Sequence, residues 1–152
     1  MSLSDKDYMA LALKEAQDAA ARDEVPIGAI LVHKATGTIY KGGNQTIADK
    51  DPTAHAEIVA IRQACAAAGA QRIPDYDLYV TLEPCAMCAA AISFARIDRV
   101  IFGASDPKGG GILHGGRFYE QPTCHHKPVI SSGLMADDCG KILKDFFAGK
   151  RG

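Results

Sequence analysis

The sequence predicts a single layered α/β domain whose central sheet is mixed. Short apolar runs suited to buried strands alternate along the chain with longer stretches of helical periodicity, the pattern of helices packed on a sheet. One pair of strands is separated only by the turn signal at Thr36-Gly37, so these two strands form an antiparallel hairpin. The 152 residues suffice for one domain with a core, and we expect that domain to span residues 1–152.

The first predicted helix has its apolar residues at helical spacing. Met9, Leu13 and Ala16 fall on one face, and Ser4 is a suitable N-cap. The same kind of pattern predicts helices at residues 4–22, 54–68, 84–95 and 134–148. Strands are predicted at residues 27–32, 39–41, 77–82 and 99–103. The glycine-rich segment 109–124 carries no pattern from which its structure follows.

The composition is that of an ordinary globular protein. Hydrophobic residues make up 47% of the chain and charged residues 23%. No apolar run has the length of a membrane span and the N-terminus lacks a signal-peptide pattern, so we expect no membrane association. The chain has five cysteines, an odd number, and in the absence of an export signal we expect it in a reducing cytoplasm.

The residues that carry chemistry lie in two short motifs, H-A-E at 55–57 and P-C-A-M-C at 84–88. His55, Cys85 and Cys88 supply one imidazole and two thiolates, which favour zinc among the common metals. Catalytic zinc sites use three protein ligands and keep one position for water, whereas structural sites use four. The count of three ligands therefore predicts a catalytic Zn²⁺ site.

Each motif falls at the start of a predicted helix. Cys85 and Cys88 are three residues apart, which places them on one helical face, and Pro84 suits the first helical position. The free N–H groups and the dipole at a helix start favour the thiolate form of both cysteines. His55 and Glu57 are two residues apart, so they can serve one site only if it lies off the end of their helix. We therefore expect two helix N-termini to point at one zinc ion.

Glu57 supplies the acid–base chemistry of this predicted site. Zinc makes hydroxide available near neutral pH because it lowers the pKa of water. A positioned carboxylate can take a proton from the attacking water and return it to a leaving nitrogen. Attack on an amidine-like carbon with loss of ammonia is a hydrolytic deamination, and Glu57 is its predicted catalytic residue.

Either motif alone has a simpler interpretation. A single C-x-x-C is more often typical of redox chemistry or of half a structural zinc site. A lone His–Glu pair at a helix start is typical of capping and solvation. The two motifs together, each at a helix start and one of them directly after a strand, favour the catalytic site.

Longer stretches around these motifs resemble the bacterial tRNA-specific adenosine deaminases, a family of the cytidine/deoxycytidylate deaminase superfamily. The stretches are V-P-I-G-A at 25–29, P-T-A-H-A-E-I at 52–58, Y-V-T-L-E-P-C at 79–85 and D-F-F at 145–147. The zinc signature is shared across the superfamily, whereas the terminal Phe-Phe with basic residues after it points to the tRNA branch. The resemblance covers nearly the whole chain. It implies a three-layer α/β/α cytidine-deaminase-like fold with a mixed sheet of about five strands, a homodimer, and conversion of the wobble adenosine of a tRNA anticodon stem-loop to inosine.

The resemblance also assigns roles to individual residues. It implies that His55, Cys85 and Cys88 bind zinc and that Glu57 moves the proton. The substrate contacts that it implies are Ile27 in the base pocket, Asn44 on the flipped base, Asp106 and Lys108 on the nucleotide backbone, and Phe147 and Arg151 at the anticodon loop. Stacking on an aromatic ring and charge contact to phosphate are general means of holding a splayed-out nucleotide.

Several of these residues also have a purely structural interpretation. Asn44 follows two glycines and Asp106 precedes a proline, so turn chemistry alone could explain both. Of Phe146 and Phe147 on the last helix, we expect one to lie in the core and one to face the substrate.

Two features depart from what the resemblance implies. The formal net charge is −1, whereas phosphate binding favours a basic domain, so RNA binding would need a local basic patch at the C-terminal helix. His125 stands where the family has an asparagine before a histidine. The run Cys124-His125-His126 could form a second metal site, but adjacent residues rarely converge on one ion. Loop chemistry near the mouth of the active site is the favoured interpretation.

Two other functions stay open from the residues alone. A deaminase of a free nucleobase or nucleoside, of guanine or cytosine type, would use the same zinc chemistry. Substrate choice would then depend on the pocket shape and on segment 109–124. A non-catalytic, zinc-stabilised RNA-binding module is the alternative of another class, but such a module has no need of the carboxylate of Glu57.

Overall fold

The computed structural model describes residues 3–151, with side chains for residues 3–150. The helices are α1 (Asp5–Ala21), α2 (Ala56–Ala68), α3 (Ala86–Ala95) and α4 (Ala136–Arg151). The strands are β1 (Gly28–His33), β2 (Ile39–Gly43), β3 (Tyr76–Leu82), β4 (Arg99–Ala104) and β5 (Val129–Ser132), and a 3₁₀ turn covers Phe118–Glu120. They form a mixed sheet in the order β2-β1-β3-β4-β5. β1 pairs antiparallel with β2 and β3, whereas β3 with β4 and β4 with β5 are parallel.

Helices cover both faces of this sheet. On one face α1 and α4 pack over a core that includes Met9 and Tyr79. On the other face α2 and α3 pack over a core that includes Val80 and Ile92. Tyr79 and Val80 are neighbours on β3 and belong to opposite cores, as the two-residue period of a strand requires. The expected three-layer α/β/α architecture with five strands is therefore confirmed.

All eight helices and strands predicted from periodicity are present and begin within two residues of their expected starts. At α1, the Ser4 hydroxyl accepts the Asp7 N–H at 3.2 Å and the Asp7 carboxylate accepts the Ser4 N–H at 2.9 Å. This capping box confirms Ser4 as the N-cap. None of the helices within residues 3–151 is both long and apolar enough to cross a membrane.

The start of α3 and the strand β5 differ from the prediction. Pro84 is not the first helical residue, because Cys85 has an extended backbone (φ −70°, ψ 175°) and serves as the N-cap. The carbonyl of Pro84 accepts the Gly111 N–H at 2.8 Å, which holds the proline outside the helix. β5 has no counterpart among the predicted strands. It is an edge strand with mostly exposed side chains, so it lacks the apolar run of a buried strand.

Gly42 allows the start of α2 to lie directly against β2. A Cβ atom at this position would overlap the carbonyl oxygen of Ala56, the first residue of α2, so only glycine fits. The close approach places His55, one residue before the helix, at the end of the hairpin formed by β1 and β2.

Candidate active site

The two metal-ligand motifs meet where two helices begin. His55 is the N-cap of α2, Cys85 is the N-cap of α3, and Cys88 lies in the first turn of α3. Because α3 follows β3 after a short connection, its start lies at the carboxyl edge of the parallel strands β3 and β4, where open α/β sheets bind ligands. The expected pair of converging helix N-termini is present.

The three side chains fit a zinc ion. His55 Nδ1 lies 3.6 Å from Cys85 Sγ and 3.6 Å from Cys88 Sγ, and the three ligand atoms all lie within 4.8 Å of one another. Tetrahedral coordination at the usual Zn–S and Zn–N lengths separates a sulfur from a nitrogen ligand by about 3.5 Å. Within the part of the chain that the structure describes, this is the one such group of His, Cys, Asp or Glu side chains. The donor set of two sulfurs and one nitrogen is the one expected for Zn²⁺.

The two thiols differ in their readiness to ionise. Hydrogen bonds from the side chain and backbone of Cys88 lower the pKa of Cys85 to about 5 against the opposing effect of burial, and His55 adds to the lowering. The hydrogen bond to Cys85 and burial both raise the pKa of Cys88 above its ordinary value. One thiolate opposes the formation of a second beside it, and this separates the pKa values of the two cysteines. A bound cation is what allows Cys88 to lose its proton.

Glu57 lies in the first turn of α2 with its carboxyl group buried. Burial raises the pKa of Glu57 to about 7, its own backbone N–H opposes the shift, and the thiolate of Cys85 adds to it. A carboxyl group with a pKa near 7 can both accept and return a proton at neutral pH. This is the property that a proton shuttle requires.

A small cavity of about 180 Å³ opens beside the ligands. Its walls include Ile27 and Asp106 together with His55, Glu57 and Cys85. The volume is below the roughly 300–1,000 Å³ typical of sites for drug-sized ligands, so the cavity suits a single base. The structure thus brings Ile27 and Asp106 to the predicted reaction site, although their contacts with substrate stay predictions.

Asn44 and Lys108 lie next to this cavity. Asn44 is buried, and its backbone N–H donates to the carbonyl of Ile27 at 3.2 Å, so it lies next to a residue of the cavity wall. Lys108 is exposed on the turn that follows Asp106. The Asp106 carboxylate accepts the N–H groups of Lys108 at 3.2 Å and Gly109 at 2.9 Å, so Asp106 does start a turn, as its position before a proline indicates.

The terminal helix contributes to a second cavity beside the first. Phe147, which is 43% exposed, lines this cavity of about 450 Å³. The two cavities share Leu82 and Asp106, so they are neighbours. Phe146 is half-buried, in keeping with different roles for the two phenylalanines. Arg151 ends α4, and its side chain lies outside the described residues.

Sequence reasoning missed Glu83, which also lines the reaction cavity. Burial would raise the pKa of Glu83, but hydrogen bonds from the backbone of Asp106, the ring of His114 and neighbouring backbone N–H groups outweigh burial and lower it. The position of Glu83 in the sequence could have indicated its importance. A charged residue between a buried strand and a metal motif is itself buried, so it needs hydrogen-bond or ion-pair partners inside the protein.

The run Cys124-His125-His126 forms no metal site with the residues that the structure describes. The Cys124 thiol and the Ser93 hydroxyl donate to the carbonyl of His126 at 3.2 and 2.7 Å, and a ring nitrogen of His126 lies 2.7 Å from the carbonyl of Ile97. Ser93 and Ile97 lie at the end of α3 that is remote from the zinc ligands. The described contacts of this loop are therefore with the far end of α3, and its place near the active-site mouth stays a prediction.

The fold and the site together define a class of protein. Residues 2–104 match the family described as the cytidine and deoxycytidylate deaminase zinc-binding region, and this stretch contains all three metal ligands and Glu57. The protein is a zinc-dependent deaminase of that class.

Sequence similarity over nearly the full length of known proteins identifies the family within this class. The chain is 58% identical over 144 residues to the tRNA-specific adenosine deaminase of Agrobacterium fabrum (strain C58), an alignment that covers 95% of this chain and 94% of that protein. The chain belongs to the family of tRNA-specific adenosine deaminases.

Solved structures agree with this placement. One from a study of A-to-I editing by tRNA:A34 deaminases at the wobble position matches with a TM-score of 0.87 and 57% identity, covering 90% of this chain and 99% of that one. The guanine deaminase of Bacillus subtilis matches with a TM-score of 0.64 and 28% identity, covering 99% of this chain and 96% of that one. The higher identity lies with the tRNA deaminase, so the free-base alternative is not favoured.

Proposed function

We propose that this chain converts the wobble adenosine of a tRNA anticodon stem-loop to inosine. The observation that carries the proposal is that His55, Cys85, Cys88 and Glu57 converge on one base-sized cavity in a member of the tRNA-specific adenosine deaminase family. In the reaction, oxygen from water replaces the amino group at C6 of adenine, and ammonia leaves.

Glu57 carries the proton transfers of this mechanism. Zinc, when bound by the three ligands, supplies the activation of the attacking water by lowering its pKa. The Glu57 carboxylate accepts a proton from that water as the C6–O bond forms. It then donates a proton to the amino nitrogen as the C6–N bond breaks. Its pKa of about 7 suits both transfers.

Two residues are proposed to recognise the base. Ile27 offers apolar surface in the cavity wall, against which the adenine ring can pack. Asn44, next to Ile27, carries an amide with both donors and an acceptor, which can pair with the polar edge of a purine. A flipped base is held in this way, by packing on its faces and hydrogen bonds to its edge.

The neighbouring cavity is proposed to hold a nucleotide that flanks the target adenosine. Phe147 offers an exposed ring there for stacking, and Asp106 lies between the two cavities. Lys108 and Arg151 are proposed to contact the phosphates of the same stretch. Such local contacts can hold RNA even though the chain as a whole has a formal charge of −1.

Assembly and location complete the proposal. The protein is proposed to act as a homodimer, because the outer side of α3 presents an apolar row in which Phe94 is 64% exposed. One deaminase domain is proposed to span residues 1–152, and the packing of both helix layers on one sheet within the described residues supports this. A cytoplasmic location is supported by a tRNA substrate and by the five cysteines, none of which forms a disulfide.

The test is inosine formation in an anticodon stem-loop with adenosine at the wobble position. Free adenosine, cytosine and guanine are assayed beside it for ammonia release. We expect product from the stem-loop alone. Ammonia from a free base alone would overturn the proposed substrate and leave the zinc chemistry in place.

Glu57→Gln tests the mechanism. Glutamine preserves the size of the side chain but cannot accept the proton, so we expect deamination to fall by about 10²–10⁴-fold. Zinc content and stem-loop binding should match the wild type, because Glu57 is not a ligand. Glu120→Gln, the same change at an exposed site, is the control with unchanged rate. Wild-type turnover by E57Q would refute the role of Glu57.

A further inference from the structure

Five hydrogen bonds converge on the buried carboxylate of Glu83. Its Oε2 accepts the backbone N–H groups of Ile112 at 3.1 Å, Leu113 at 2.8 Å and His114 at 3.2 Å. Its Oε1 accepts the backbone N–H of Asp106 at 3.0 Å and lies 2.8 Å from His114 Nδ1. Because an ionised carboxylate can only accept, the His114 ring donates from Nδ1. One side chain thus holds both ends of the loop that follows β4.

This cavity loop, residues 106–114, also packs closely on the segment that carries two zinc ligands. The Gly111 N–H donates to the carbonyl of Pro84 at 2.8 Å. A Cβ atom at Gly110 would overlap the carboxylate of Glu83, and one at Gly111 would lie 2.6 Å from the backbone where α3 begins. Both positions therefore require glycine for the loop to approach so closely.

The cavity loop forms part of the wall of the reaction cavity, where Asp106 and Gly109 lie beside Glu57. Three consecutive glycines at 109–111 make this loop costly to order, because glycine loses more conformational freedom than other residues when its backbone is fixed. The hydrogen bonds to Glu83 offset that cost before substrate binds, which is the general benefit of preorganisation.

We propose that Glu83 is a positioning residue that holds the cavity loop as a preformed wall of the base site. It acts through Asp106 and Gly109 and touches no reacting atom. The proposal rests on the proposed function for the substrate used in its kinetic test, whereas the order of the loop can be measured without substrate.

Glu83→Gln is the direct test. Glutamine keeps one acceptor oxygen but turns an NH₂ group toward N–H donors, so several of the five hydrogen bonds are lost. In the zinc-loaded protein, amide hydrogens at 112–114 should exchange at least about tenfold faster. KM for the stem-loop should rise about 10- to 100-fold with a smaller change in kcat and with unchanged zinc content.

Asp77→Asn is the matched control for removing a buried carboxylate. Asp77 lies near the opposite end of β3, where it pairs with Arg99 and Lys34. This change should lower Tm without altering KM or exchange in the cavity loop. Unchanged exchange in E83Q, loss of zinc from E83Q, or an equal rise of KM in D77N would each overturn the proposal.

Gly110→Ala disturbs the cavity loop while Glu83 stays intact, so it decides the question if E83Q fails to fold. Its added Cβ meets the Glu83 carboxylate, and we expect the same rise in KM and in amide exchange. At Gly116 an added Cβ meets nothing within 4 Å, so Gly116→Ala should keep wild-type values. Equal behaviour of the two alanine variants would contradict the proposal. A wild type that makes no inosine refutes the proposed function instead, and amide exchange still decides the role of Glu83.

Discussion

Two buried carboxylates beside one cavity have opposite pKa shifts. For Glu57, burial dominates and raises the pKa to about 7. For Glu83, burial acts in the same direction, but five hydrogen bonds from the protein outweigh it and keep the carboxylate ionised. The number of hydrogen-bond donors around each carboxylate explains the difference, since hydrogen bonds to the charged form favour it, and it suits Glu57 for its proposed proton transfers and Glu83 for its proposed hold on the loop.

Phe147 allows a prediction at the scale of one residue. Phe147→Ala removes the exposed ring that lines the second cavity. Because stacking of a base on an aromatic ring contributes about 1–3 kcal/mol to binding, KM for the stem-loop should rise by roughly 5- to 150-fold. Phe147→Leu keeps an apolar side chain but loses the flat ring, so it should share most of the defect. Steady-state kinetics on the stem-loop measure both variants. Wild-type KM in F147A would show that the ring does not touch the substrate.

The ten residues of helix α3 contribute to the metal site, to the core and to an exposed apolar surface. Its first turn holds Cys88 at the metal site, and its inner side packs into the core through residues such as Ile92. Its outer side carries a row at helical spacing in which Phe94 is exposed and three other apolar residues are half-buried, namely Met87, Ala90 and Ala91. An apolar row of this kind on the surface is typical of a contact with another protein surface.

Phe94→Asp tests this side of α3 as the proposed dimer contact. Because Phe94 is exposed in the protomer, the change should leave the fold intact, whereas a buried charge at an interface costs several kcal/mol. Light scattering at micromolar concentration should give a dimer mass for the wild type and a monomer mass for the variant. Ile47→Asp, at another exposed apolar residue, should stay dimeric. A dimeric F94D would place the interface elsewhere.

At the scale of the whole molecule, the reaction site and a network of charged side chains lie at opposite ends of the central strands. The site lies at the carboxyl ends of β3 and β4, and the network joins the first residues of α1 and β4 to β3. Arg99 donates to both oxygens of Asp5 at 2.8 and 3.0 Å and to Asp77 at 3.0 Å, and the Tyr79 hydroxyl donates to Asp5 at 2.5 Å. The network therefore fastens α1 to the sheet far from the chemistry.

This network predicts a dependence of stability on acid. Hydrogen bonds from Arg99 and Tyr79 hold the pKa of Asp5 below its ordinary value of 3.8. A carboxyl group with a lowered pKa in the folded state stabilises the protein above its unfolded pKa, and this contribution disappears as pH falls through the folded pKa. Asp5→Asn should therefore lower the free energy of unfolding by up to about 1 kcal/mol at pH 7.

Thermal unfolding as a function of pH measures this difference. The gap between the wild type and D5N should narrow as the pH falls below 3.8 and should close once the pH lies below the lowered pKa of folded Asp5, because both side chains are then uncharged. Asp18→Asn removes an exposed carboxylate whose one ion pair among the described residues is with exposed Lys14, so it should change little. A gap that stays constant down to low pH would show that the Asp5 charge contributes nothing.

Sequence patterns predicted the local elements and the metal site because both depend on residues close together in the chain. Helical and strand periodicity located eight elements, and each metal-ligand motif fell at a helix start. The family resemblance added Ile27 and Asp106, which do line the cavity. Contacts of Asn44, Lys108, Phe147 and Arg151 with RNA stay predictions.

The sequence by itself determined the metal and the kinds of element and predicted the proton shuttle, since ligand chemistry and apolar periodicity depend on residues close together in the chain. Only the tertiary structure decided the features that join distant segments. β5 is a strand because β4 pairs with it. Its side chains are mostly exposed, so its sequence lacks the apolar pattern from which a strand is predicted. Glu83 is an anchor because the chain returns 31 residues later to place His114 against it. Such contacts form only when the long stretch of chain between the two residues closes into a loop. No pattern of neighbouring residues in the sequence therefore predicts them.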